Sequence, residues 1–107
     1  MELPVNNFKR ALKDKKPQIG MWSSLSSHIV AEILAHAGFD WVLLDTEHSP
    51  NELPMVQSQL QAMTGGTATP VVRPAWNDMV LASASSTSAR NRSCCRTCRR
   101  PRRRRAR

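Results

Sequence analysis

Four consecutive apolar residues, Trp41-Val42-Leu43-Leu44, run directly into Asp45, Glu47 and His48. A run without alternation has no face left for water, so it suits a strand covered on both sides, as in a parallel sheet. Parallel neighbours need long crossover connections, usually helices. A buried strand ending on two carboxylates and an imidazole also suggests chemistry, because α/β folds set their reactive groups beyond the carboxyl ends of their strands. A plainer reading stays open for this segment alone: the acidic groups solvate a strand end and cap the next helix.

The flanking sequence supplies the alternating elements. Val5, Phe8 and Leu12 form a short stripe at helical spacing, ended by the Lys-rich stretch Lys13 to Pro17. Gln18 to Leu25 fits a first strand. Ser26 or Ser27 can cap a helix whose inward face is predicted as Val30, Ile33, Leu34 and Ala37, and Gly38 supplies its stop. After the strand around Trp41 to Asp45, Asn51 is the predicted cap of a second helix. Pro54 is tolerated in its first turn, and Leu53, Val56, Leu60 and Met63 face inward. Gly65-Gly66 ends that helix, Pro70 to Pro74 reads as a third strand, and Trp76-Asn77-Asp78 as the entry to another helix. The alternation implies right-handed βαβ units and a parallel sheet.

Charge divides the chain in two. Residues 1–80 hold all eight acidic residues and six of the sixteen basic ones; residues 81–107 hold ten Arg, no Lys and no acid. The tail also holds all three Cys, with many Ser and Ala, and lacks Gly, Val, Ile, Phe, Trp and Met. The overall basicity therefore belongs to the last quarter and says nothing of the folded part. The absence of Cys from residues 1–80 rules out a disulfide framework there. No basic start is followed by an apolar leader, and no stretch approaches the roughly 18 apolar residues of a membrane span, so a cytoplasmic setting is expected.

The candidate chemistry lies at the predicted strand ends. Asp45, Glu47 and His48 follow the second strand, and Arg73 ends the third. A carboxylate beside an imidazole orients it and raises its basicity, as a general base requires. A guanidinium nearby can hold a carboxylate or a developing enolate. The set suits proton abstraction or carbon–carbon bond chemistry on an oxo acid. Taken singly, His48 also reads as a surface-loop histidine and Arg73 as a solvated residue in a Pro-bounded turn.

At these positions the chain resembles a known family. Gly20-Met21-Trp22, Ala37-Gly38-Phe39-Asp40-Trp41, Asp45-Thr46-Glu47-His48-Ser49-Pro50-Asn51, Gln59-Leu60-Gln61-Ala62 and Pro70-Val71-Val72-Arg73-Pro74-Ala75-Trp76-Asn77-Asp78 look like the HpcH/HpaI aldolases, metal-dependent (class II) pyruvate aldolases. Members cleave 4-hydroxy-2-oxo acids, such as 4-hydroxy-2-oxoheptane-1,7-dioate or 2-dehydro-3-deoxyglucarate, to pyruvate and an aldehyde. The resemblance implies a (β/α)₈ TIM barrel, of which residues 1–80 would supply about three strands. It implies that His48 is the catalytic histidine, that Asp45 pairs with it, and that Arg73 holds the pyruvate moiety and stabilises its enolate. Trp22 would lie near the substrate. A divalent cation (Mg²⁺, Mn²⁺ or Co²⁺) is implied for the intact enzyme, held by a Glu and an Asp from later strands. Since no acid follows Asp78, no metal ligand is expected in this chain, and the fragment itself is expected to be inactive. Intact members are homo-oligomers acting on small molecules, with no membrane and no specific nucleic acid; oligomerisation is not expected of the fragment.

Residues 81–107 read best as a disordered tail translated out of frame, since Arg, Ala, Ser, Pro and Cys are what a GC-rich gene yields in the wrong frame. Codons compatible with residues 82–98 give QRLLDIGAQPVLLPNVQ in another frame, similar to the family's continuation into a fourth strand. The alternative is an interaction module in which the Arg-rich tail binds nucleic acid through phosphate neutralisation, although no aromatic residue is available there for stacking. Cys95 and Cys98 give a single Cys-x-x-Cys spacing, too little for a zinc site without a second pair.

Overall fold

Asn6 starts the first element by accepting a hydrogen bond from the Lys9 backbone N–H at 2.9 Å, and helix α1 (Asn7–Lys13) follows. Arg10 and Lys13 sit in its last turn, where positive charge complements the helix dipole. The computed structural model describes residues 5–75 together with the backbone of 93–94. After α1 come β1 (Gly20–Ser23), α2 (His28–His36), β2 (Trp41–Asp45), α3 (Leu53–Ala62), β3 (Thr69–Arg73) and a two-residue strand β4 (Ser93–Cys94). The strands pair in the order β1-β2-β3-β4, all parallel. The βαβ alternation expected from the sequence is thus present.

Strand parity explains how the two faces of the sheet are used. Val42, Leu44 and Val72 join Ala31, Ala35, Val56, Leu60, Met63 and Ala68 in one core between sheet and helices. Leu43 and Val71 have the opposite parity and lie across from each other, as do Asp45 and Arg73 two residues later. Trp22 is registered with Leu43 and so shares that second face. At the other end of β2, Trp41 covers Gly20 so closely that an added Cβ would lie 2.0 Å from its ring, so any other residue here requires the ring to shift. Phe8 of α1 meets the same ring, with centroids 6.1 Å apart. The amino ends of the strands are tied by Asp40, whose carboxylate accepts from Ile19 N–H and whose carbonyl accepts from Thr69 N–H.

Three expectations need correction. The inward face of α2 is Ala31 and Ala35, both fully buried, whereas Ile33 is 62% exposed and Ala37 also faces out; Val30 and Leu34 are half-buried. Small side chains are favoured there because the neighbouring chain comes close enough for the Ala35 carbonyl to accept from Thr67 and Ala68 N–H at 3.0 and 3.2 Å. Asn51 does not cap α3; the cap position is Glu52, which makes no side-chain capping bond, and Leu53 is exposed. The Asn51 amide is engaged elsewhere, as described below. Strand β1 is shorter than Gln18 to Leu25, with Ile19 and Leu25 exposed at its margins. Ser27 does cap α2, accepting from Val30 N–H, and Gly38 stops it with φ of 98°.

The expected helix entry at Trp76-Asn77-Asp78 lies outside the described residues. So does the tail, apart from Ser93 and Cys94, whose backbone lies beside Val71 and Val72. Among the described residues no helix is long and apolar enough to cross a membrane.

Candidate active site at the strand ends

Asp45 and Arg73 are the last residues of β2 and β3, and they are register partners on adjacent parallel strands. That placement alone brings a carboxylate beside a guanidinium. Arg73 Nε donates to Asp45 Oδ1 at 2.9 Å and Nη2 donates to Oδ2 at 2.7 Å, a bidentate pair. The Asp45 residue is 1% exposed, so its charge requires these partners. Its Oδ1 also accepts the backbone N–H of Glu47 at 2.9 Å and of His48 at 3.4 Å. The Arg73 bonds hold the Asp45 carboxyl below the usual carboxylate range, with help from these two N–H groups and against the opposing effect of burial.

Arg73 is fixed on every side. Its guanidinium carbon lies 4.7 Å from the Trp22 ring centroid, a cation–π contact from β1. Glu47 Oε2 is 3.2 Å from Nε. The Arg73 carbonyl accepts from Thr46 N–H at 3.1 Å and from the Thr46 hydroxyl at 2.6 Å. Trp22, Asp45 and Arg73, all singled out from the sequence, therefore meet at one place.

His48 stands differently from the expectation. Its side chain is 72% exposed, and its Nε2 lies 3.7 Å from Glu47 Oε1. The pairing of Asp45 with the His48 imidazole, implied by resemblance, is not the arrangement here. Both Asp45 oxygens face the guanidinium, and Asp45 reaches His48 only through the backbone N–H. Glu47 is the carboxylate beside the ring, and it bridges His48 to Arg73. Glu47, one of the candidate groups at the strand end, is therefore the carboxylate that meets the imidazole, the role that the resemblance implies for Asp45.

Asn51, expected from the sequence only as a helix cap, belongs to a polar cluster beneath the site. Asn51 is buried, and its Nδ2 donates to the Asp45 carbonyl at 2.7 Å and to Ser49 Oγ at 3.0 Å. Its Oδ1 accepts from Ser26 Oγ at 2.9 Å and from Gln59 Nε2 at 2.7 Å. The Ser49 hydroxyl also donates to the Asp45 carbonyl. A polar residue at position 59 beside the apolar stripe of Val56, Leu60 and Met63 was the available signal.

Among the described residues no three His, Cys, Asp or Glu side chains converge where a metal ion could be held. With both Asp45 oxygens engaged by Arg73, the residues present do not fit a divalent cation. What they do provide is a guanidinium held at the strand ends and an exposed imidazole three residues after Asp45.

Comparison with known proteins identifies the family and the fold. The model of the HpcH/HpaI aldolase/citrate lyase family matches residues 18–91. A pyruvate aldolase from Rhizobium etli is 59% identical over 81 residues, which is 76% of this chain and 32% of that protein. A 4-hydroxy-2-oxo-heptane-1,7-dioate aldolase from Escherichia coli is 57% identical over 75 residues, 70% of this chain and 29% of that protein. The crystal structure of an HpcH/HpaI aldolase/citrate lyase family protein from Burkholderia cenocepacia superposes with a TM-score of 0.75 at 39% identity, over 78% of this chain and 34% of that one. The chain thus spans about a third of the length of these relatives. Its α/β fold is the N-terminal portion, about three strands, of their (β/α)₈ barrel. The chain belongs to the HpcH/HpaI aldolase/citrate lyase family.

Proposed function

We propose that residues 1–80 carry the anion-holding and proton-moving part of a pyruvate aldolase site, which in an intact enzyme cleaves a 4-hydroxy-2-oxo acid to pyruvate and an aldehyde. The observation that supports this most is the Asp45–Arg73 pair at the carboxyl ends of β2 and β3, where barrel enzymes hold their substrates. The buried Asp45 bonds are the permanent ones. Glu47, the more exposed carboxylate, stands 3.2 Å from the same Nε as an ion pair only, since the single Nε–H is donated to Asp45 Oδ1, and a substrate oxyanion displaces this carboxylate from the guanidinium without taking over that N–H.

In the retro-aldol direction His48 accepts the proton of the C4 hydroxyl. The C3–C4 bond breaks, the new C4 carbonyl leaves as the aldehyde, and the electron pair moves onto the C2 oxygen as an enolate. Arg73 holds that developing charge in a site where water is partly excluded. Protonation at C3 then gives pyruvate. Glu47 Oε1 lies 3.7 Å from the His48 Nε2 and is the carboxylate beside the ring that takes the hydroxyl proton. A divalent cation (Mg²⁺, Mn²⁺ or Co²⁺) is part of this reading for the intact enzyme, with ligands that are not among the described residues. The intact enzyme is read as a cytoplasmic homo-oligomer on the resemblance alone.

The domain division is part of the same proposal: residues 81–107 are an out-of-frame reading of a gene whose correct frame continues the barrel. Two observations support it: the tail has ten Arg and no acid, and codons compatible with residues 82–98 give the family-like QRLLDIGAQPVLLPNVQ in another frame.

The test is to restore frame near codon 81 and assay the product for pyruvate release. The open frame should extend to roughly 250 residues, the usual barrel size. His48→Ala should then lower kcat by about 10²–10⁴, the range for a lost general base, and Arg73→Ala should abolish exchange of pyruvate methyl protons. Early stop codons in the restored frame would refute the frameshift. Near-normal proton exchange in both variants would refute the site.

A further inference from the structure

We propose that Asn51 is a positioning residue that sets the depth and direction of the Asp45–Arg73 pair by clamping the end of β2. The proposal deepens the site reading above, in which Arg73 is the group that holds the substrate anion.

The Asn51 amide uses its full hydrogen-bonding capacity, two N–H donors and two acceptor lone pairs. The four partners come from three parts of the fold. Ser26 lies in the loop after β1, Asp45 and Ser49 lie at and just after the end of β2, and Gln59 lies on α3. One side chain thus ties the loop carrying His48 to the neighbouring strand's loop and to the helix beneath.

The clamp acts on the backbone of the residue whose side chain holds Arg73. The Asp45 carbonyl accepts from Asn51 Nδ2 and Ser49 Oγ, which fixes the peptide plane between Asp45 and Thr46. Thr46, on the other side of that plane, donates twice to the Arg73 carbonyl. The backbones of both members of the pair are therefore referred to one fixed peptide, and their side chains close the ring through the bidentate bonds.

Gln59 supports this role. It is fully buried, yet its Oε1 accepts no hydrogen bond among the described residues. An apolar residue would fill the same space without leaving a polar atom unpartnered. The gain from an amide at this position is the donor it gives to Asn51.

The experiment uses the 107-residue chain and nitrogen-15 NMR of the Arg73 Nε–H, the donor bound by Asp45 Oδ1. Asn51→Ala should make this proton exchange with water about tenfold faster or more, as expected when a local clamp opens. The amide protons of Thr67 and Thr69, bonded to Ala35 and Asp40 at the far end of the sheet, should keep their protection. Asn51→Asp should behave like Asn51→Ala, since it keeps the shape but sets an acceptor against the Asp45 carbonyl. Ser26→Ala removes one bond and leaves both Asn51 donors, so it should shift exchange the same way by less; it decides the matter if the Asn51 variants do not fold. An unchanged Arg73 Nε–H in the variants that fold, or equal loss of protection at both ends of the sheet, would overturn the proposal. No substrate is involved, so failure here leaves the aldolase reading intact, and absence of aldolase activity would leave this clamp intact.

Discussion

Replacing Asp45 by Asn isolates the energetics on which the site depends. The change keeps the size of the side chain and removes its charge. In the parent, two charge-assisted hydrogen bonds join Asp45 to an Arg73 side chain only 18% exposed. Removing one member of a buried pair costs about 3–5 kcal/mol, much of it from the charge left behind. Here the low end applies, about 3 kcal/mol, because Glu47 and the Trp22 ring still face the guanidinium. Urea unfolding should show a lower midpoint with an unchanged slope. The pH dependence gives an independent check. The folded-state pKa of Asp45 is lowered, so the unfolded chain binds its proton first as pH falls. The contribution is therefore fully present above the unfolded value of about 3.9 and is lost as pH falls through the lower folded value. The stability gap between parent and Asp45→Asn should be flat near neutrality and shrink below about pH 3.9. A variant within about 0.5 kcal/mol of the parent at pH 7, or a gap that widens in acid, would refute the reasoning.

Two further substitutions probe the support of the same site. Gly20→Ala should destabilise by about 1–3 kcal/mol, the usual cost of overpacking, because the new Cβ would lie 2.0 Å from the Trp41 ring; an unchanged thermal midpoint would show that Trp41 moves aside freely. Trp22→Leu should cost about 0.5–2 kcal/mol from the lost cation–π contact and should weaken pyruvate binding in the frame-restored protein by raising KM more than it lowers kcat. An unaltered KM would remove Trp22 from the substrate region.

The core strands were legible because their signal is local. Trp41 to Leu44 and Pro70 to Val72 carry unbroken apolar runs, and a strand buried on both faces has no other way to read. The βαβ alternation brings the ends of β2 and β3 to one face, and with them Asp45 and Arg73; that the two pair with each other, rather than Asp45 with His48, was not legible. The faces of the helices were less legible. In α2 the larger residues Ile29 and Ile33 are exposed, while Ala31 and Ala35 are buried. A moment calculated from hydrophobicity points toward bulk, whereas the approach of the 67–68 backbone to Ala35 selects for small size. No property of positions 31 and 35 taken alone announces that approach.

The site was legible to the extent that charge was forced on it. A carboxylate ending a buried strand needs a cation, and the next strand ends in the one Lys or Arg between Pro17 and Val80. The division of labour among Asp45, Glu47 and His48 was not legible, because three adjacent polar residues can pair in several ways until the backbone direction is fixed. Once Asp45 points with Leu43 to the second face of the sheet, toward Arg73, it cannot also face the ring of His48, and the carboxylate left for that ring is Glu47. The direction is in turn a backbone property, held by hydrogen bonds from Asn51 and Ser49 to a carbonyl. A capping rule sees Asn before a helix and assigns it to the helix; competition from the Asp45 carbonyl and the Gln59 amide decides otherwise. The residues that orient the chemistry were therefore the ones whose partners lie on other elements, and they could be assigned only after those elements had been brought together.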